Sequence, residues 1–203
     1  MTKSFCTNEV LLVGRIETEP EYSHTHHNEE YYKFDISVKR YSGICDIIPV
    51  MVSSPILDGR IFGKGDYISI KGVYRSYNPN DSRKVIFYVN IKNIDLINEE
   101  INFNEITLEG YICKRGEVRT TAVSKRTILD VILAVNGSIK VKPSYIPCII
   151  WNITADDASE LKVGDRILIK GRVQSRYYVK KYENETSEIK TAYEVSVREY
   201  LKV

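Results

Sequence analysis

The sequence repeats itself, and any fold must accommodate that repeat. "NEVLLVGRI" at 8–16 returns as "NEITLEGYI" at 104–112, and "FDISV" at 34–38 as "LDVIL" at 129–133. "IIPVMV" at 47–52 answers to "YIPCII" at 145–150, "GDYISIKGVYRS" at 65–76 to "GDRILIKGRVQS" at 164–175, and "FYVNI" at 87–91 to "YEVSV" at 193–197. The order is kept while the offset widens from 96 (104 against 8) to 106 (193 against 87), as loop insertions would make it. The chain is therefore a duplication of one unit of about 100 residues. The join falls near Asn98–Asn102, giving units at 1–98 and 103–203.

Within a unit, short runs rich in Val, Ile and Tyr alternate apolar and polar residues, the signature of half-buried strands. In the second unit they fall near 104–113, 126–136, 145–151, 165–178 and 190–200. "NITADDASELKVG" predicts one short helix between the third and fourth, capped by Thr154 or Asn152, with Asp156 and Asp157 in its first turn. "SSPILDGRIFGKG" in the first unit holds Pro and Gly and predicts a loop or single turn. Gly14 and Gly110 interrupt strand patterns, where a tight bend is expected. The expectation is an all-β chain of two tandem OB-folds, five-stranded Greek-key barrels with at most one short helix each. A plain five-stranded barrel of another purpose is the alternative.

Composition narrows function. With 29 Lys and Arg against 27 Asp and Glu, net +2, the chain is no polycation, so a nucleic-acid site must come from local clustering. The four cysteines, Cys6, Cys45, Cys113 and Cys148, are widely spaced, which fits a reducing compartment and no zinc site. The amino terminus has no signal-peptide pattern and no run suits a membrane span, so a cytoplasmic location is expected. "HTHH" at 24–27 holds all three histidines in a segment that predicts a polar loop. No phosphate loop, nucleophile elbow or paired-metal motif is present, so neither catalysis nor a cofactor is expected.

These segments, quoted in order and twice over, resemble the bacterial single-stranded-DNA-binding protein family and its primosomal replication-protein relatives. "NEVLLVGRI" and "NEITLEGYI" resemble that family's opening strand, "LDVILAV" its second, "YIPCIIW" its third, "LKVGDRILIKGRVQSRYY" its fourth and "TAYEVSV" its fifth. The resemblance implies single-stranded DNA as partner, in replication, repair or recombination, with RNA as the alternative. It also implies four OB units in all, hence a homodimer of this chain. It places Tyr145 and Trp151 at two stacking positions of the third strand, Tyr178 at the end of the fourth and Arg176 at a basic position near it. In the first unit Ile47, Ser53 and Pro79 stand at those aromatic positions, so stacking there would fall to Tyr41, Tyr74 or Tyr77. The chain shows no glycine-rich tail with an acidic tip, so partner recruitment by that route is not expected.

The residues fit that chemistry on their own terms. Binding a single strand without sequence preference needs rings to stack on bases and cations to meet phosphates. Arg172, Arg176, Lys180 and Lys181 supply charge along the fourth strand, Lys125 and Arg126 after the first hairpin, and Lys140 and Lys142 after the second strand. Strand parity puts Arg172, Gln174, Arg176 and Tyr178 on one outer face and turns Tyr177 inward. Two bland readings stand beside this: Trp151 as a packed strand end, and the tyrosines as ordinary strand formers. A protein-interaction scaffold of a replication-restart or mobile-element complex, touching nucleic acid secondarily, is the alternative function.

Overall fold

The computed structural model describes residues 7–79, 84–121, 124–136, 142–181 and 186–203; Cys6 and Lys140 lie outside them. Among the described residues eleven strands and two short helices follow one another. They are β1 (Asn8–Ile16), β2 (Glu21–His26), β3 (Glu29–Lys39), β4 (Cys45–Ser53), α1 (Ser54–Leu57), β5 (Tyr67–Tyr77) and β6 (Ile86–Ile97). After these come β7 (Phe103–Thr120), β8 (Thr127–Val135), β9 (Ser144–Trp151), α2 (Ala155–Glu160), β10 (Arg166–Lys181) and β11 (Ser187–Lys202).

One continuous sheet orders them β10-β11-β9-β8-β7-β1-β5-β6-β4-β3-β2, and the further pairs β1–β3 and β10–β7 close each half on itself. Each half is thus a five-stranded barrel, with β2 added beside β3 as a sixth strand in the first half. In each barrel the third and fifth strands run parallel (β4 with β6, β9 with β11) and the other pairs antiparallel. This is the tandem OB-fold architecture. Alternation does the closing: Val10, Leu12, Ile36, Ile48, Val50, Ile68, Ile70 and Val89 fill the first barrel. Ile106, Leu108, Leu129, Leu133, Ile146, Cys148, Ile167, Ile169 and Val195 fill the second. Gly14 and Gly110 sit where the first strand is pressed against the second: a Cβ would lie 2.4 Å from the Ser37 carbonyl oxygen and 2.7 Å from that of Ala134.

Two local expectations change, and of the two caps that the sequence offers for α2 it is Thr154 that serves. The "HTHH" segment is not a loop: β2 and β3 form a hairpin turned at His27 and Asn28, whose φ angles of 49° and 63° are those of a two-residue type I′ turn. In the second barrel the same hairpin is made by β7, which runs on to Thr120 through two register shifts. Thr154 caps α2, its hydroxyl accepting the Asp157 N–H at 3.0 Å, while Asn152 adopts a left-handed backbone.

The barrels meet along β1 and β7, which pair antiparallel with Val10 opposite Ile106. Those two residues are equivalent in the repeat, and Asn8↔Leu108 and Leu12↔Asn104 exchange under the same equivalence. The halves are therefore related by an approximate two-fold axis through Val10 and Ile106. Each unit's leading asparagine extends its own ladder. Asn8 Nδ2 donates to the Tyr74 carbonyl at 2.9 Å and its Oδ1 accepts the Tyr74 N–H at 2.8 Å; Asn104 does the same to Val173 at 2.7 and 2.9 Å.

Candidate nucleic-acid interface

The outer row of β9 is Tyr145, Pro147, Ile149 and Trp151, paired across to Ala134, Ile132, Asp130 and Ile128 of β8. Strand geometry puts the two rings roughly 20 Å apart at the ends of an apolar stripe. Tyr145 is 54% exposed, whereas Trp151 is half-buried, its indole N–H buried and without a hydrogen-bond partner among the described residues. Arg119 and Asp130 form an ion pair at 2.8 Å on the same sheet. Lys125 and Arg126 stand exposed at the end of the β7–β8 hairpin, where the Arg126 N–H donates to Thr121 Oγ1 at 3.0 Å.

Strand β10 divides into two stretches. Up to Ser175 it is barrel wall, with Ile167, Ile169 and Val173 buried inside. Its outward row is not open, because β4 of the first unit packs over it. Gln174 and Glu194 are buried and hydrogen-bonded at 2.6 Å. Arg172, expected on an open face, is half-buried at this junction, with Nη2 donating to Gln174 Oε1 at 3.2 Å. Burial, and then the charge of Arg40, holds its guanidinium below the usual arginine range. From Arg176 onward β10 leaves the barrel wall and its residues are exposed on both faces, while their partners Lys190, Thr191 and Ala192 on β11 stay half-buried. Arg176 approaches Glu194 at 3.6 Å. Tyr177, expected to turn inward, is 66% exposed against 39% for Tyr178, since parity decides burial only where a core lies beneath. Lys180 and Lys181 are exposed on the same hairpin.

The first unit's candidates scatter. Tyr41 is fully exposed in the β3–β4 turn, and Tyr77 is 42% exposed with its ring edge-on to Tyr88 at 5.7 Å. Tyr74 is corrected outright: it is fully buried and cannot stack on a base. Its ring lies against Phe87, which meets Tyr193 of the second unit, so the packing of the two barrels covers it. Burial, and next Cys148, pushes its hydroxyl, which has no partner among the described residues, well above the usual tyrosine range.

A groove of about 1090 Å³ runs between the first barrel and the β10–β11 hairpin, with Tyr77, Tyr88, Tyr178 and Tyr193 among its lining. Of the expected site residues it gathers only Tyr77, Tyr178 and Lys180; Tyr145, Trp151, Lys125, Arg126 and Tyr41 lie outside it. It carries Lys33, Lys84, Lys180 and Lys190, but also Glu19, Glu21, Asp35 and Glu194, so it lacks the one-signed field that tracks a phosphate backbone. Burial raises the Asp35 carboxyl, and burial and then Asp35 push the facing Tyr193 hydroxyl up to about 12. Among the described residues no group of His, Cys, Asp and Glu could hold a metal ion, and no helix is long and apolar enough to cross a membrane.

Sequence reasoning missed the inter-unit contacts that surround these side chains. Their one trace is the serine that ends both "GDYISIKGVYRS" and "GDRILIKGRVQS". Ser76 contacts Ser144 and Tyr145, while Ser175 contacts Arg40, Asp46 and Ile47, in each case across the junction.

Three comparisons bear on this geometry. Residues 103–202 match the model described as the Single-strand binding protein family. Among solved structures, a deletion and substitution variant of the single-stranded DNA binding protein from Thermus aquaticus superposes with a TM-score of 0.77. It covers 99% of this chain and 96% of its own at 18% identity. The wild-type Thermus aquaticus protein gives 0.74, covering 98% and 93% at 20% identity. The N-terminal domain of PriB from Thermoanaerobacter tencongensis is 34% identical over 45% of this chain and 98% of its own, but its TM-score of 0.42 is too low to bear on the fold. No curated protein sequence matches the chain at a significant level.

Proposed function

Because the chain belongs to the single-strand binding protein family through residues 103–202, a non-catalytic family, we propose that it binds single-stranded DNA chiefly with its second barrel. Tyr145 and Trp151 stack on bases along the β8–β9 face. Tyr178 adds a third ring, and Arg176, Lys180, Lys181, Lys125 and Arg126 meet phosphates at its edges. The observation that carries this reading is the outward row of β9, with exposed Tyr145 at one end and half-buried Trp151 at the other, next to a hairpin bearing rings and cations. The first barrel, taken as residues 1–98, lacks the equivalent rings and serves mainly as an assembly surface. Two chains form a dimer of four OB-folds, and the protein acts in the cytoplasm where replication, repair or recombination exposes single strands.

The test is a titration of labelled oligo-dT, duplex DNA and single-stranded RNA at two salt concentrations, following the fluorescence of Trp151, the one tryptophan. Tight dT binding with quenching and a steep salt dependence is expected. Absence of binding at low salt would hand the chain to the scaffold reading.

A further inference from the structure

We propose that the first barrel is a positioning frame for the second barrel's DNA-binding side chains, acting through Ser76 and through the Asp46–Arg40 pair. The proposal rests on the binding role argued above and assigns residues to it that touch no DNA.

The two-fold relation between the barrels brings the last serine of each fourth strand onto the start of the other unit's third strand. At one contact the Tyr145 N–H donates to Ser76 Oγ at 2.9 Å, and the Ser76 hydroxyl donates back to the Tyr145 carbonyl at 3.2 Å. The Ser76 N–H donates to Ser144 Oγ at 3.2 Å. Both backbone groups of Tyr145 are therefore held by one side chain of the first unit, while its ring stays free on the surface.

At the other contact Ser175 is held at every polar atom. Its N–H donates to Asp46 Oδ1 at 2.8 Å, its Oγ accepts the Ile47 N–H at 3.0 Å, and its carbonyl accepts from Arg40 Nη2 at 3.3 Å. Arg40 also grips Asp46 through Nε at 2.7 Å and through Nη2. Asp46 is 1% exposed, so its carboxylate is desolvated and held by Arg40 and the Ser175 N–H. Ser175 immediately precedes Arg176 and lies three residues before Tyr178. It is the last residue of β10 inside the barrel wall, so the direction in which the exposed hairpin departs is fixed there. A stacking ring gains from being held in its bound orientation before the strand arrives, because less freedom is lost on binding.

A double-mutant cycle tests this against mere stabilisation. Affinity for oligo-dT of about 16 nucleotides, the upper range for one OB-fold, is measured well below the unfolding midpoint of every variant. Ser76→Ala is expected to weaken binding about fivefold in the native background but less than about twofold in Tyr145→Ala. Ser76→Thr, which keeps the hydroxyl, restores the affinity. Asp46→Asn behaves in the same way against Tyr178→Ala. Equal losses in both backgrounds overturn the proposal, because a general loosening does not act through one ring. Unchanged affinity in Ser76→Ala and Asp46→Asn, with Tyr145→Ala and Tyr178→Ala still weakened, overturns it and leaves the binding role standing. A native protein that binds no dT removes the binding role and the frame together.

Discussion

The two barrels share a wall and differ at its ends. After the shared serine the first unit reads "YNP" and β5 ends at Tyr77, where the second reads "RYYVKK" and β10 runs on to Lys181. The third strand carries Ile47 and Ser53 where its counterpart carries Tyr145 and Trp151. The junctions differ in the opposite sense. A desolvated Asp46–Arg40 pair holds the second barrel's fourth strand, whereas neutral Ser144 holds the first barrel's. On the proposed reading, the groups that face the ligand lie in one copy and the stronger support for them in the other, so that two similar folds divide one task.

The largest expected effect breaks this contrast at the junction. Asp46→Ala strands Arg40 and the Ser175 N–H and should cost about 3–5 kcal/mol. Ser144→Ala, at the equivalent seat, should cost about 1 kcal/mol. Urea unfolding of both variants measures the difference, and equal losses would mean that the junctions are energetically alike. Next come the rings. Tyr178→Ala and Trp151→Ala should each weaken dT binding about tenfold or more. Tyr41→Ala and Tyr77→Ala in the first unit should change it by less than about threefold; comparable losses from all four would show two equal binding barrels.

Charge gives a smaller effect. Replacing Lys180 and Lys181 together by Gln should flatten the slope of log affinity against log salt by about 1.4 if each meets one phosphate. The same change at exposed Lys71 and Lys92 of the first unit should leave the slope where it was. The smallest effect sits at the barrel contact itself. Tyr74 occupies the seat that Val173 fills in the other copy, and its buried hydroxyl has no partner among the described residues. Tyr74→Phe should therefore be neutral or stabilise by up to about 1 kcal/mol in thermal unfolding. A clear loss would reveal a bond that the hydroxyl makes.

Where a core lies under a strand, sequence alone was enough to read it. Ile167, Ile169 and Val173 point inward as their alternation requires, and the glycines at 14 and 110 fall where strands press together. Legibility ended wherever burial stopped obeying period two. Strand β2 is exposed along nearly its whole length, so "EYSHTH" carries no apolar alternation; backbone pairing and the turn at 27–28 make it a strand. Tyr177 and Tyr178 lie beyond the barrel, where neither face is inside. Tyr74 and Arg172 were misjudged for a different reason: each is covered by the other barrel, and a repeat reveals two copies but not how they lie together. The candidate site was legible as residue types and only partly as a surface. Tyr145 and Tyr178 are exposed as expected, while Arg172 and Trp151 are both half-buried.

The β1–β7 pairing about Val10 and Ile106 has a consequence for how such a binder responds to its own abundance. Two separate barrels joined along that edge would come apart on dilution, and the binding unit would change with the amount of protein made. Here the edge closes within one chain, at an effective concentration of order millimolar set by the short connection between β6 and β7. Dilution can empty the DNA but cannot take the pair of barrels apart. A substitution near the axis also enters once rather than twice, so each side of the edge can be tuned without imposing the same change on the other.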